Sequence, residues 1–491
     1  MFNDLKKLLN QSFIYGISSV IEPFIRFIML PLYTRYLTPE DYGTLALTGV
    51  VGMFLSSVIG LGVSSGMLRF YFQYKTKEEK DEVITTVMIF TIISSALYLT
   101  VLLAIEPFVS GILFSIENSG VYYNLVIGGT VLEIAANRLY SVFRAEEKVK
   151  IFTTFTITSL IMQFLLNILF VVVFERGVRG ILEATIISTI FSIFLLMPSA
   201  IKGKKMRFSK TKLKEILSFS APLVPAAISH IVLNLSNRYF LDYFISKRGV
   251  GIFQLGVGIS NVLSIAITKP FKIAWPPYMY SVSDKPNAKD IYRNVLVYYS
   301  FLAFWAAMAI SVAAKETLVI LTTPPFYSAY KVVPLLVVSL VLFGMMGILV
   351  AGIHLTKKTK YVSYIFMVAA IINLALNFIL IPFGGVQGAA LATVITFLFL
   401  NICYFVYSQR LYPINHDFRR LSIIVFVSSA LFLFSHFFIT ADNLFLTIPL
   451  KGLIIISFPF ILWLVGFFNP NEKDRIIYIA RLIYHKILRK K

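Results

Sequence analysis

The feature that most constrains this chain is a succession of long apolar runs separated by short polar breaks. The runs fall near 13–33, 44–68, 83–105, 121–143, 151–174, 180–200, 216–240, 250–268, 293–314, 332–353, 361–381, 387–407, 421–439 and 448–468. Most approach the roughly 20 residues that carry an α-helix across a bilayer. In hydrocarbon every backbone N–H and C=O must be paired, which predicts helices rather than open strands. The expected fold class is an all-α integral membrane protein with about 14 transmembrane helices. Composition agrees: 58% of residues are hydrophobic and 14% charged, against about 45–50% and about 25% in a soluble domain. The first run follows Lys6 and Lys7 and could pass for a signal peptide. It is as long as a full span and leads into Pro31-Leu32-Tyr33-Thr34-Arg35 without a small-residue cleavage site, so it reads as a retained helix. The single cysteine, Cys403, excludes an intramolecular disulfide.

A net charge of +21 would suggest nucleic-acid binding in a soluble chain. Here the charge is distributed by topology. With an even number of spans and a cytoplasmic start, 34 of the 45 Lys and Arg fall on inside segments and 7 on outside ones. That bias places both termini on the cytoplasmic side. No nucleic-acid partner is needed to account for it.

Two stretches of the chain resemble each other. Gln163 to Asn167 leads to Gly177-Val178-Arg179-Gly180 and Ala184-Thr185; Asn373 to Asn377 leads to Gly385-Val386-Gln387-Gly388 and Ala392-Thr393. The offset is 210 before the turn and 208 after it. At 208, Tyr42-Gly43 also falls on Val250-Gly251; at 210, Lys148 and Lys150 fall on Lys358 and Lys360. The period spans six helices, an even number, so the copies share one orientation about an axis along the membrane normal. The expected organisation is an N-terminal lobe over 1–200, a basic cytoplasmic linker over 201–215, and a C-terminal lobe over 216–410. Two further helices over 421–468 and an amphipathic basic tail over 472–491 follow. The tail carries an apolar stripe of Ile476, Ala480, Ile483 and Ile487, which suits the inner leaflet surface.

Charged residues inside membrane runs are expensive and point to function or to a partner. Glu22 and Arg26 share one face of the first helix, with Pro23 between them. Glu133, Asn137 and Arg138 lie in the fourth, and His230, Asn234, Asn237 and Arg238 in the seventh. At the 208 offset Glu22 falls on His230 and Arg26 on Asn234, which predicts a cavity lined by both lobes. Each charge also has a structural reading: a self-satisfied pair, or a bundle histidine. Arg69, Lys269 and Lys272 end their runs, and are either snorkelling side chains or gate residues where substrate comes in. Guanidinium groups from three helices, Arg26, Arg138 and Arg238, suit phosphate oxygens bound bidentately. A phosphorylated lipid would bring such a head group while leaving its tail in the bilayer.

No phosphate-binding Gly-x-x-x-x-Gly-Lys-Ser/Thr loop and no His-Glu-x-x-His are present, and the five histidines are scattered. ATP hydrolysis and a His-based metal site are not expected, and no cofactor is implied. No connecting segment is long enough for a soluble catalytic domain. A membrane-embedded glycosyltransferase or polymerase would need clustered acids on an outer loop, where Glu40, Asp41 and Glu106 are dispersed.

Several motifs taken in order carry a resemblance. They are Arg35-Tyr-Leu-Thr-Pro-Glu-Asp-Tyr-Gly43, Gly62 through Arg69-Phe70, Phe143-Arg-Ala-Glu-Glu-Lys148, Asn237-Arg238-Tyr239, Tyr327-Ser-Ala-Tyr330, and Asn373 through Thr393. Together they resemble the bacterial polysaccharide-export flippases, the O-antigen (Wzx-type) members of the multidrug/oligosaccharidyl-lipid/polysaccharide (MOP) superfamily. The resemblance implies two six-helix lobes in a parallel repeat plus two C-terminal helices, the architecture of the multidrug (MATE) exporters and lipid II flippases. It implies a non-enzymatic flippase of the bacterial cytoplasmic membrane working by alternating access. The substrate would be an undecaprenyl-diphosphate-linked glycan, with Arg26, Arg138 and Arg238 as positional candidates for its head group. A polysaccharide polymerase and its chain-length machinery would be neighbours. Family members often carry Asp where Asn237 stands, which weakens ion coupling there; Glu22 and Glu133 are the remaining candidates for a proton or sodium ion. A drug or small-ion antiporter of the same superfamily is the rival reading.

Overall fold

The computed structural model describes residues 25, 27–114, 118–439, 443–470, 472–474 and 478. Among them every regular element is helical. Eleven helices among the described residues are long and apolar enough to cross a membrane. This number departs from the apolar runs in three places. The run 13–33 lies mostly outside the described residues. Ser119–Ala145 forms a helix of 27 residues whose apolar run is interrupted by Glu133, Asn137 and Arg138. The runs 361–381 and 387–407 join in one helix of 52 residues, Lys360–Leu411, bent at Gly385 (φ 53°, ψ −132°). At about 1.5 Å per residue that length is more than twice the roughly 30 Å of a hydrocarbon core, so its two arms serve two crossings.

The chain packs as two compact units. One comprises Met1–Gly258, Leu321–Val332 and Ser363–Thr396; the other comprises Ile259–Ile320, Val333–Val362 and Phe397–Lys491. The first unit is built around Ser119–Ala145, which packs on Gly177–Ile201, Pro39–Gly60 and Lys77–Ala104. Val83, Ile84 and Val87 meet Leu139, Val142 and Phe143 in its main core. Two of its helices begin in capping boxes: Thr38 with Asp41, and Thr76 with Glu79. Each box satisfies two orphan groups of the first turn. Lipid tails are as apolar as leucine, so helices associate through close backbone approach at small residues. Gly66 is such a point, because a Cβ there would lie 2.3 Å from Ser220 Oγ.

The internal repeat is visible in the geometry. Left-handed backbone recurs at Glu147 (φ 53°) and Lys357 (φ 58°), and at Gly177 (φ 55°) and Gly385 (φ 53°), in the registers of the sequence repeat. Thr38 Oγ1 accepts from the Asp41 N–H, and Ser246 Oγ accepts from the Gly249 N–H in the equivalent turn. The two equivalent glycines cross each other. A Cβ on Gly43 would lie 2.1 Å from the Lys247 carbonyl oxygen, and one on Gly251 would lie 1.8 Å from the Pro39 carbonyl oxygen. Pro39 and Lys247 are themselves repeat-equivalent, so the contact is reciprocal, as a two-fold relation requires. Glu40 and Arg248, again equivalent, approach to 3.8 Å as an ion pair.

The run 44–68 is not one continuous helix. Pro39–Gly60 ends at Leu61 (φ 48°) and Gly62 (φ 63°), and Val63–Gln73 starts afresh. The start of the seventh helix is irregular around its prolines. Lys210–Ser220 passes through a 3-10 turn, Ala221–Leu223, into Val224–Phe244.

The second unit packs Val297, Met308 and Val312 of Ala288–Leu321 against Ile424 and Val427 of Phe418–Phe438 and Phe458 and Leu462 of Leu444–Leu464. The Trp305 indole donates to the Ile455 carbonyl at 2.8 Å. Lys451 Nζ pairs with Glu316 Oε1 at 2.6 Å, with both side chains buried. The eighth run, expected to end at 268, continues helically to Ser281 through a π-helical stretch, Ser264–Thr268. Pro270 lacks the N–H that would bond back into the preceding turn, and the wider π turn accommodates that loss. Lys269 and Lys272 are therefore inside a long helix, not at its end. Of the expected basic tail only Glu472, Lys473, Asp474 and Tyr478 are described; the stripe of Ile476, Ala480, Ile483 and Ile487 lies outside the described residues.

Candidate functional site

Glu22 and Arg26 lie outside the described residues. In the first unit, Glu133 and Asn137 are exposed on one face of Ser119–Ala145, while Arg138, one step round, is buried. Arg138 points to the break at Leu61–Gly62. Its Nη2 donates to the Gly60 carbonyl at 2.5 Å and its Nη1 to Ser64 Oγ. A helix end leaves carbonyls without intrahelical partners and a negative dipole end, and a buried cation answers both. Arg138 thus joins the two pieces of a broken membrane helix. Its Nε has no partner among the described residues.

Arg238 is committed in a different way. Its Nη1 donates to the Asn234 carbonyl at 2.8 Å and to Asn237 Oδ1 at 2.9 Å. Its Nε and Nη2 donate to Gln254 Oε1 at 3.1 and 2.8 Å. Its guanidinium also lies over Phe253, 5.6 Å from the ring centre. His230 is exposed and stacks on Phe366, and Asn234 Nδ2 donates back to the His230 carbonyl at 2.7 Å. His230, Asn234 and Arg238 therefore form one chain down Val224–Phe244.

On the same helix Ser236 enters an amide network. Ser236 Oγ donates to Asn373 Oδ1 at 3.3 Å and accepts from Asn377 Nδ2 at 3.3 Å. Asn377 Nδ2 also donates to Asn373 Oδ1 at 2.9 Å, and Asn373 Nδ2 to Thr396 Oγ1 at 3.0 Å. Gln163, equivalent to Asn373 in the repeat, donates to Thr185 Oγ1 at 3.3 Å. These amides hold helices together.

The expected gate residues are differently placed. Arg69 is exposed and lies 4.3 Å over the Phe219 ring. In the second unit Lys269 is exposed, and Lys272 is half-buried with its ammonium 3.6 Å from the Phe343 ring centre. No acidic side chain among the described residues pairs with Lys272. A cation on an aromatic face gains about 0.5–2 kcal/mol, so an anionic group can take it over through stronger charge-assisted bonds. Also in the second unit, Phe418–Phe438 and Leu444–Leu464 flank a groove of about 670 Å³ lined by Ile423, Phe426, Val427, Leu431, Phe434 and Ile461.

Sequence reasoning missed two ionic clusters in this unit. Lys451 with Glu316 was signalled only by a charge inside the run 448–468 and an acid just past the end of the run 293–314. Arg420 donates from Nη2 to Glu472 Oε2 at 2.7 Å, and the Tyr298 hydroxyl donates to Glu472 Oε1 at 2.5 Å. Burial alone would raise the Glu472 pKa. The bonds from Tyr298, the Asn469 N–H and Arg420 outweigh it and hold the carboxyl below its usual range.

A family model described as "Polysaccharide biosynthesis protein" matches residues 32–331. A protein of the Lsg locus of Haemophilus influenzae is 23% identical over 393 residues, covering 78% of this chain and 95% of the relative. A second membrane protein of that organism is 22% identical over 411 residues, covering 78% and 94%. The structure of the lipid II flippase MurJ in an inward closed conformation superposes with a TM-score of 0.73 at 15% identity, covering 92% of this chain and 99% of that one. An inward-facing multidrug resistance MATE transporter of the MOP superfamily superposes with a TM-score of 0.61 at 17% identity, covering 82% and 95%. The fold is that of these multi-pass membrane proteins.

Proposed function

We propose, on the premise that the chain belongs to the polysaccharide biosynthesis protein family, that it is a flippase moving an undecaprenyl-diphosphate-linked oligosaccharide to the outer leaflet of the cytoplasmic membrane. The observation that carries this reading lies within the second unit. A half-buried membrane lysine, Lys272, rests on an aromatic ring without an acidic partner among the described residues. The same unit holds an apolar groove large enough for acyl or isoprenoid chain. An anionic head and an apolar tail in one substrate match that pair of features. Lys269 on the same helix adds a second cation, and Arg69 supplies an exposed one in the first unit. Translocation by alternating access, with both termini in the cytoplasm, belongs to the same proposal and rests on the Lys/Arg bias of the sequence. So does coupling to a proton or sodium ion through Glu133, the one exposed acid in the Ser119–Ala145 helix. A polysaccharide polymerase and its chain-length machinery would receive the product.

The rival, a drug or small-ion antiporter, is favoured by the MATE-like fold alone. The test is complementation of a strain lacking its own glycan-lipid flippase. Wild-type chain should restore surface glycan, and Lys272→Ala should fail while inserting at wild-type level. Restored drug resistance with no surface glycan would sink the flippase reading in favour of the antiporter.

A further inference from the structure

We propose that the segment 205–214, between the membrane helices Gly177–Ile201 and Val224–Phe244, is a docking surface for the anionic head groups of phospholipids. The segment is not a loose tether. Thr85 Oγ1 donates to the Arg207 carbonyl at 2.7 Å and accepts from the Arg207 N–H at 3.4 Å. The Ser209 N–H donates to Thr86 Oγ1 at 3.0 Å. Lys212, buried, donates to the Glu79 carbonyl at 3.0 Å and to Glu82 Oε2 at 2.7 Å.

Those anchors fix depth as well as conformation. The helix Lys77–Ala104 is charged through Glu82 and apolar from Val83 onward. Thr85 and Thr86 lie just past that change, where a span passes from head groups into acyl chains. The segment clamped beside them is held at the bilayer boundary.

What it presents there is a lipid-binding pattern. Met206 and Phe208 are 51% and 48% exposed. Lys205, Arg207, Lys210 and Lys214 are exposed around them, and none pairs with an acid among the described residues. Lys204 and Lys212, by contrast, have carboxylate partners at 2.7 Å. Unpaired cations interleaved with apolar side chains at the interface attract anionic lipid and bury their apolar groups in the boundary. Charge complementarity selects anionic phospholipid as the occupant.

The test uses the full chain with Cys403→Ser and Phe208→Cys, carrying an environment-sensitive fluorophore at position 208. It is reconstituted in vesicles of phosphatidylcholine alone, or with one fifth phosphatidylglycerol. With phosphatidylglycerol the probe should shift to the blue and be quenched by brominated acyl chains, and both effects should weaken at high salt. Lys205→Gln, Arg207→Gln and Lys210→Gln should each lower the apparent preference for phosphatidylglycerol by about five-fold at low salt. An unchanged gel-filtration profile confirms that these exposed positions leave the fold intact. Equal shielding in both vesicle types would overturn the anionic specificity. A water-exposed probe in both would overturn docking altogether; shielding that then appeared only in native membranes would point to a protein partner instead.

Discussion

The reciprocal glycine crossing makes a quantitative prediction. In Gly251→Ala the new methyl would lie 1.8 Å from the Pro39 carbonyl oxygen, and in Gly43→Ala 2.1 Å from the Lys247 carbonyl oxygen. Ordinary contact begins at 3.4 Å, so the helix starts must separate by about 1.6 and about 1.3 Å respectively to restore van der Waals spacing. Both obstacles are backbone, which cannot swing aside as a flexible side chain would. Overpacking of this kind costs about 1–3 kcal/mol, and the Glu40–Arg248 pair, already at 3.8 Å, is lost with the separation. One separation makes room for both methyls, so the double substitution should cost little more than Gly251→Ala alone. Gly49→Ala, where a Cβ meets nothing within 4 Å, is the neutral control. Thermal denaturation in detergent, followed by gel filtration of the surviving folded protein, gives the stabilities. Disulfide cross-linking of Glu40→Cys with Arg248→Cys, in a Cys403→Ser background, reports the separation. A wild-type melting point and cross-link yield for Gly251→Ala, or fully additive costs in the double variant, would refute the reciprocal crossing.

Three further outcomes follow from the buried charges. Arg138→Ala leaves the Gly60 carbonyl without its donor and should destabilise the fold by about 1–3 kcal/mol; thermal denaturation should show that loss, with export falling only as the folded fraction does. Glu316→Gln should cost about 3–5 kcal/mol by stranding Lys451, and combining it with Lys451→Met should restore most of that, measured as a double-mutant cycle. Acid should destabilise the chain in two windows. His416 lies between helices with its pKa pushed down to about 4 by burial. The unfolded chain therefore takes up the proton first, and stability is lost as pH falls from about 6.5 towards that value. Glu472 has a depressed folded pKa, so its contribution is present above the ordinary carboxylate pKa and lost as pH falls through the folded one. His416→Phe should flatten the upper window in pH-dependent melts and Glu472→Gln the lower.

The helical class and the repeat were legible because both are written in periodic chemistry. Apolar run length announces a crossing, and a turn that needs left-handed backbone keeps its place in both copies, as at Gly177 and Gly385. Even the crossing pair, Gly43 and Gly251, stands in register in the sequence. The direction of a side chain is written less openly. Arg138 follows Asn137 by one residue, yet that step turns it from the exposed face to the buried one. Its destination depends on the break at Leu61–Gly62, which sits in an apolar run without a proline to announce it. Arg238 is decided by Gln254, sixteen residues on and in the next helix, and no local pattern links the two.

The repeat also explains why one cation is structural and another is available. At the 208 offset Gly60 corresponds to Thr268, Gly62 to Pro270 and Ser64 to Lys272. In the first copy the helix breaks, the Gly60 carbonyl is orphaned, and a guanidinium from Ser119–Ala145 is consumed in answering it. In the second copy the π turn carries the helix past Pro270, and the Thr268 hydroxyl pairs with the Tyr299 hydroxyl at 3.3 Å. No orphaned end remains there for a cation to cap. The position that is a serine ligand in the first copy is then a lysine whose ammonium lies on an aromatic face, with no acidic partner among the described residues. A duplicated fold can in this way assign its cations to different work: a buried arginine bonded to Gly60 and Ser64 holds a broken helix together, and in the proposed reading the lysine at the position equivalent to Ser64 meets an anion.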